Sequence, residues 1–93
     1  MKISSDELAD LLVEVAKQKF PDKSFPRRPL MEAAEREVRA RGWWTPDDDR
    51  LSGSAGLKSR GLAAIDYRFS DLARRKIFVC ERRNLWRLAR ACP

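Results

Sequence analysis

The hydrophobic period of this chain changes once, at Lys76, and that change constrains the fold more than any other feature. Before Lys76, apolar residues recur at the spacing of one helix face. They are Leu62, Ile65, Phe69 and Leu72. After Lys76, strand-forming residues occur in two short runs separated by four polar residues. The pattern predicts an amphipathic helix over 58–76 that runs directly into a β-hairpin over 77–89.

A basic amphipathic helix followed at once by a two-stranded ribbon is the outline of a winged helix. The sequence therefore predicts a small α+β fold, a winged helix-turn-helix with three main helices and a C-terminal two-stranded β-wing (77–89). Residues 1–57 would supply helical support and a loop, and residues 58–76 the recognition helix. Because 93 residues suffice for one modest core, we expect the whole chain, 1–93, to form a single winged-helix domain.

Two supporting helices are expected in the first half of the chain. Ser4 and Glu7 have the spacing of a capping box, so the first helix begins there and stops before Pro21. The second begins with Pro29 in its first turn and ends by Gly42. The charges on its outer face alternate in sign, which predicts a solvated surface with i,i+4 ion pairs.

The segment between the second helix and the recognition helix combines a cap signal with small residues. Thr45-Pro46 and the three aspartates at 47–49 predict a short helical turn, although the same carboxylates are the ligand type that Mg²⁺ prefers. Residues 50–57 are predicted to be a loop. The stretch 53–59 only mimics a phosphate-binding loop, so we do not expect nucleotide hydrolysis.

Aromatic residues are expected to dominate the small core. Phe25 should anchor the connection between the first two helices. Trp43 and Trp44 follow each other and cannot point the same way, so one of them should remain partly exposed, where it could stack on a base. On the hairpin, Trp86 should point toward the helices.

Positive charge is concentrated in the second half of the chain. The net charge is +6 overall, but residues 1–48 hold nine basic and ten acidic residues, and residues 49–93 hold eleven basic and four acidic. The excess lies on the predicted recognition helix and wing, where a phosphate-binding surface would need it. The expected major-groove residues are Lys58, Ser59, Arg60, Tyr67, Arg68 and Asp71. Arg74 and Arg75 are expected either to contact the backbone or simply to favour the negative end of the helix. On the wing, Arg82, Arg83 and Arg87 are expected to contact phosphates or to probe the minor groove.

Enzymatic chemistry is not expected, because the chain contains no histidine to act as general base or to complete a zinc site. We expect no cofactor and no metal. The two cysteines, Cys80 and Cys92, are too few for a disulfide framework. No apolar run approaches the length of a membrane span. The expected location is therefore the cytoplasm, with reduced thiols and no membrane partner.

One family shares the motif of the second half. The motif consists of Ser59-Arg60 before the helix, Ile65, Tyr67 and Leu72 inside it, Ile77-Phe78 after it, and Arg82-Arg83-x-x-Trp86-Arg87-Leu88 on the wing. With these residues, 58–88 resembles the winged-helix domain at the N-terminus of Mrr-type modification-dependent restriction proteins, and more distantly HARE-type winged helices. Tyr67 stands where tryptophan is usual, and Lys76 where a glycine commonly turns the chain.

The resemblance implies binding to double-stranded DNA in association with a restriction, defence or transcription-regulatory system. It does not imply cleavage, because this sequence lacks the Mrr nuclease domain. The alternative is a winged-helix protein-interaction module that binds an acidic partner or effector, since the basic half of the chain would serve either. RNA is a third candidate, without the aromatic strand that ribonucleoprotein domains use.

Overall fold

The computed structural model of the protein describes residues 1–21, 23–52 and 58–89. Within these ranges the chain forms three α-helices, one short 3-10 helix and two antiparallel two-stranded sheets. In chain order they are α1 (Ser5–Lys19), α2 (Arg27–Ala40), the 3-10 helix (Pro46–Asp49), β1 (Leu51–Ser52), β2 (Lys58–Ser59), α3 (Arg60–Arg74), β3 (Phe78–Arg82) and β4 (Leu85–Leu88). Three helices followed by a C-terminal hairpin confirm the predicted small α+β fold and are consistent with a winged helix.

The boundaries of α1 and α2 follow their local chemistry. Ser4 Oγ accepts a hydrogen bond from the amide of Glu7 at 3.1 Å, which confirms the predicted cap of α1. The second helix begins two residues before Pro29, at Arg27. It ends where Gly42 turns the chain with a φ of 73°. Neither α1, α2 nor any other helix in the described ranges has the length and apolar character needed to cross a bilayer.

The third helix, α3, is shorter at both ends than the predicted 58–76. Ser59 Oγ accepts from the amide of Leu62 at 3.1 Å, so Ser59 caps the helix and α3 begins at Arg60. At the other end, Lys76 adopts a φ of 65°, which no continuing helix can have, and α3 stops at Arg74. A local feature therefore sets each end of α3, and for this reason both ends differ from the prediction.

Five aromatic rings join α3 to the wing. Phe69 of α3 lies 5.0 Å from Phe78 and 5.1 Å from Trp86, measured between ring centroids. Phe25 lies 5.4 Å from Phe78 and 5.5 Å from Phe20. Phe25, Phe69 and Phe78 are buried, and Trp86 is half-buried. The wing is therefore packed against the core and not suspended in solvent.

The connection between α1 and α2 pairs with the wing through its backbone. The amide of Phe25 donates to the carbonyl of Trp86 at 2.7 Å, and the amide of Trp86 returns a bond to Phe25 at 2.8 Å. This isolated bridge confirms Phe25 as the anchor of that connection. It also fixes the inward orientation predicted for Trp86.

The wing itself has a tighter turn than the sequence predicts. Cys80 pairs with Trp86 and Arg82 with Leu85, so Glu81 is an extra residue that forms a bulge in β3. The expected four-residue connection is wrong, because only 83–84 lie in the turn. Asn84 supplies the turn with a φ of 64°, a conformation that asparagine tolerates better than most residues.

The 3-10 helix confirms the short turn predicted after Thr45, and it contains a buried carboxylate. Asp48 is 5% exposed and pairs with the α-ammonium group of Met1 at 3.0 Å. Its Oδ2 also accepts from the amide of Thr45 at 2.8 Å. Burial acts to raise the pKa of Asp48, but hydrogen bonds from Thr45 and the Met1 ammonium, with the charge of that ammonium, outweigh burial and lower the pKa.

Part of the predicted loop over 50–57 is a strand. Leu51 pairs with Ser59, and Ser52 with Lys58, in an antiparallel ribbon of two residues on each side. Residues 53–57, which carry the glycines of the phosphate-loop mimic, lie outside the described residues, as does Cys92. The ribbon places the capping residue of α3 directly beside β1.

Candidate nucleic-acid interface

The outward face of α3 carries a row of three large side chains, Arg60, Tyr67 and Arg74, called here the outer row. Because seven residues make almost two helical turns, these side chains lie nearly above one another. All three are exposed, and Tyr67 is 59% exposed. The predicted contacts Arg60, Tyr67 and Arg74 therefore share one surface.

Small side chains separate the first two members of the outer row. Ala63 and Ala64 lie between Arg60 and Tyr67, whereas Asp71 lies between Tyr67 and Arg74, and Ser70 is turned toward Arg27 of α2. Residues of this size allow another surface to approach the helix backbone closely. Arg60 and Tyr67 thus stand on either side of two small residues.

At its N-terminal end, the outer row is held by an aspartate. Arg60 Nη1 lies 3.2 Å from Asp47 Oδ2, and Arg50 Nε lies 3.5 Å from Asp47 Oδ1. More than half of each side chain is exposed in Arg50, Arg60 and Asp47, so both ion pairs are open to solvent. From the sequence, Asp47 was expected in the cap of the 3-10 helix or as a candidate Mg²⁺ ligand, and its position between Arg50 and Arg60 was not predicted.

At the C-terminal end of α3, a second aspartate lies between two arginines. Asp71 Oδ2 is 2.8 Å from Arg75 Nη2 and 3.7 Å from Arg68 Nη1. The side chain of Asp71 is 20% exposed and that of Arg68 is 18% exposed. The expectation that Asp71 projects freely toward base edges is therefore corrected. Arg68 also stacks over the ring of Tyr67 at 4.6 Å, which ties it to the outer row.

Ser59 and Lys58 were both expected to contact the major groove. The structure describes the side chain of Ser59 but only the backbone of Lys58. The hydroxyl of Ser59 is engaged as the α3 cap and the residue is half-buried. The backbone of Lys58 lies in β2, and its side chain is outside the part of the chain that is described. The hydroxyl of Ser59 is therefore used to cap α3.

The wing turn, defined here as Arg82 at the end of β3 together with residues 83–84, lies beside α3. Asn84 lines one groove together with Leu62 and Asp66 of α3 and with Arg36 of α2. Arg82 and Arg83 adjoin Asn84 and are exposed. Within residues 1–21, 23–52 and 58–89, neither of these two arginines forms an ion pair.

Arg87, the third predicted wing contact, forms an ion pair within the described residues, in contrast to Arg82 and Arg83. Its Nε lies 2.9 Å from Glu81 Oε1, and Glu81 Oε2 accepts from the hydroxyl of Ser24 at 2.6 Å. Arg87 therefore braces the wing against the connection between α1 and α2. The wing turn, not β4, presents its unengaged cations.

An arginine of α2 fixes the position of α3. Arg27 donates to Asp66 Oδ1 from Nε at 3.0 Å and from Nη2 at 2.5 Å, and to Ser70 Oγ at 2.7 Å. Its guanidinium also lies 4.5 Å from the centre of the Phe69 ring. Sequence reasoning missed this clamp, because no local pattern links residues 39 positions apart.

The outer face of α2 is neutralised by its own ion pairs, as predicted. The i,i+4 pairs are Arg28–Glu32, Glu35–Arg39 and Glu37–Arg41. The hydrogen bond to Glu37, with Glu14 nearby, raises the pKa of Arg41 despite its partial desolvation. Arg36 stands apart from these pairs, at the groove beside the wing.

The three consecutive aspartates engage three different sets of partners. Asp47 contacts arginines, Asp48 the Met1 ammonium, and Asp49 accepts from Arg39 at 3.1 Å and from the indole of Trp44 at 3.0 Å. Their carboxylates therefore act as separate structural acceptors.

Both tryptophans before the 3-10 helix are half-buried. The guanidinium of Arg41 lies 5.0 Å from the ring of Trp43, and that of Arg39 lies 4.2 Å from the ring of Trp44. Their exposed faces are thus already covered by cations.

Comparisons of this chain with protein-family models, with curated proteins and with solved structures found no match.

Proposed function

We propose that this protein binds double-stranded DNA through the outer row of α3 and the wing turn. The observation that carries the proposal is the alignment of Arg60, Tyr67 and Arg74 on the exposed face of α3, together with the exposed Arg82 and Arg83, which form no ion pair within the described residues. Guanidinium groups bind phosphate and guanine in a bidentate way, and a tyrosine ring contacts sugar or base.

The dimensions of α3 suit the major groove. Its 15 residues span about 22 Å at about 1.5 Å per residue, and a helix of ordinary diameter enters a groove about 12 Å wide. The small residues beside Tyr67 would let the helix backbone approach the base edges. In this arrangement Arg60 reads bases near the N-terminal end of α3, and Arg74 meets the backbone near the other end.

The wing turn would then contact the phosphate backbone. Arg82 and Arg83 are exposed, adjacent, and free of carboxylate partners within the described ranges. Such side chains contribute affinity without reading sequence. Arg87 braces the wing instead, so its contribution to binding is indirect.

A DNA-binding role would place the protein in the cytoplasm, where the exposed free thiol of Cys80 would stay reduced. A link to restriction or transcription rests on the family resemblance of residues 58–88. The alternative partner, an acidic protein segment, would meet the same cations.

A duplex titration at several salt concentrations tests the proposal. We expect binding to a duplex of about two helical turns that weakens between about 50 and 200 mM salt, with a log–log slope of about −3, since Arg74, Arg82 and Arg83 would contact phosphate. Poly-glutamate of matched charge is the competing ligand. Binding to poly-glutamate but not to duplex would overturn DNA binding in favour of an acidic protein partner.

A further inference from the structure

Each end of α3 carries an aspartate between two arginines. Asp47 lies 3.2 Å from Arg60 and 3.5 Å from Arg50, and Asp71 lies 2.8 Å from Arg75. Arg68 completes the second cluster at 3.7 Å from Asp71. We call these the N-terminal cluster (Asp47 with Arg50 and Arg60) and the C-terminal cluster (Asp71 with Arg68 and Arg75).

Each cluster has a net charge of one positive unit, although it contains two guanidinium groups. A carboxylate at this position repels an approaching phosphate and competes with it for the same donors. A surface that only had to hold phosphate would gain affinity by losing both aspartates. Their presence in the predicted contact surface therefore needs a role other than affinity.

Geometry indicates what that role is. Asp47 accepts a hydrogen bond from Nη1 of Arg60. Asp71 Oδ2 lies 2.8 Å from Nη2 of Arg75 as an ion pair and accepts no hydrogen bond from the described residues, so each guanidinium keeps other N–H donors for a second partner. A guanidinium held at one edge has fewer orientations and less freedom to swing toward any nearby phosphate. At a preferred base sequence, the same restraint would lower the cost of ordering the guanidinium on binding, because the group is already held in place.

We propose that Asp47 and Asp71 are specificity-determining residues of this surface: they position the arginines at the two ends of α3 and lower the affinity for random duplex. The inference rests on the proposed function. Asp47 and Asp71 themselves act through the arginines they hold, and need not touch a base.

Three variants with the same charge change test the inference. Asp47→Asn and Asp71→Asn each remove one carboxylate from a cluster, and Asp10→Asn removes one from the exposed face of α1 as the matched control. The probes are a random-sequence duplex and the duplex most enriched from a randomised library. Melting temperatures close to that of the wild type will show that the variants are folded.

We expect Asp47→Asn and Asp71→Asn to bind random duplex about three- to tenfold more tightly than the wild type at low salt. The salt slope should steepen by up to about 0.9, the equivalent of one added phosphate contact. The enriched duplex should gain less, so the ratio of the two affinities falls. In an Arg75→Ala background, Asp71→Asn should have no more effect than Asp10→Asn.

Two results would overturn the inference in distinguishable ways. A wild-type protein that binds no duplex would overturn the proposed function together with this inference. Wild-type binding, with Asp47→Asn and Asp71→Asn indistinguishable from Asp10→Asn or with both affinities raised equally, would leave DNA binding intact and remove the specificity role of the two aspartates.

Discussion

Lys76 ends α3 in the same backbone conformation in which Gly42 ends α2. The φ angles are 65° and 73°. At both ends, the amide of this residue donates to the carbonyl three positions back at 3.1 Å, and the next amide donates to the carbonyl five positions back at 3.0 Å. One termination motif thus occurs twice, once with glycine and once with a residue that has a Cβ.

This relationship predicts that Lys76→Gly stabilises the protein. Relief of the left-handed strain is worth about 1–2 kcal/mol, and the greater freedom of glycine in the unfolded chain offsets part of it, so the free energy of unfolding should rise by up to about 1 kcal/mol. Gly42→Lys is the matched control and should lower it by a similar amount. Urea unfolding of both variants measures the effect, and a destabilised Lys76→Gly would show that the lysine side chain is itself needed there.

A second prediction concerns the joint between α3 and the wing. Trp86→Ala removes a ring that packs edge-on against Phe69 at 5.1 Å, so we expect a loss of about 3 kcal/mol, the lower end for tryptophan because the ring is half-buried. Arg83→Ala, at the exposed turn of the same hairpin, should change stability by less than about 0.5 kcal/mol. Denaturant titration followed by circular dichroism compares them. Equal stabilities would mean that the wing does not depend on this contact.

The buried Asp48 predicts a pH dependence of stability. Its pKa in the folded protein lies below the ordinary value of 3.8, so its contribution is present above pH 3.8 and is lost as the pH falls through the lower folded value. Asp48→Asn should therefore destabilise the protein at neutral pH by about 1–3 kcal/mol, and the difference should shrink in acid.

Thermal unfolding of the wild type and of Asp48→Asn at neutral pH and at a pH well below 3.8 measures this difference. Asp10→Asn, on the exposed face of α1, is the control and should show little difference at either pH. A gap between wild type and Asp48→Asn that persists unchanged in acid would contradict the assignment of the stabilising charge to Asp48.

The wing turn predicts a specific salt effect. Replacing Arg82 and Arg83 with alanine should weaken binding to all duplexes similarly and flatten the log–log salt slope by about 1.8, the equivalent of two phosphate contacts. The control is the double variant Lys17→Ala and Lys19→Ala on α1, which removes the same amount of positive charge. It should leave most of the log–log salt slope unchanged. Equal effects of the two double variants would remove the wing turn from the interface and leave only a general effect of net charge.

Much of the fold could be predicted because the relevant signals are local. The change of hydrophobic period at Lys76 located both α3 and the wing, and the Ser4 hydroxyl located the start of α1. The ends of α3 were set by two features that periodicity does not report, a side-chain cap at Ser59 and a left-handed residue at Lys76. The ribbon of β1 and β2 is too short to carry a period.

The candidate site was predicted less completely, because its geometry depends on long-range pairing. The exposed row of Arg60, Tyr67 and Arg74 follows from helical spacing alone. The ion pair of Asp71 with Arg75 has the same i,i+4 spacing as the pairs predicted on α2, but the sequence could not show that Arg27 crosses to Asp66, since that contact depends on the packing of α2 against α3. Composition identified the basic half of the chain, and only the structure separated its engaged cations from the unengaged ones.

Mapping of backbone amide shifts by NMR tests the central claim most directly. On titration with a duplex of about one helical turn, the largest changes should fall on the outer row, at Arg60, Tyr67 and Arg74, and on the wing turn at 82–84. Poly-glutamate should shift the same amides less at equal charge. Shifts concentrated on α1 and the outer face of α2, or a response to poly-glutamate without a response to duplex, would contradict a DNA-binding surface built on α3.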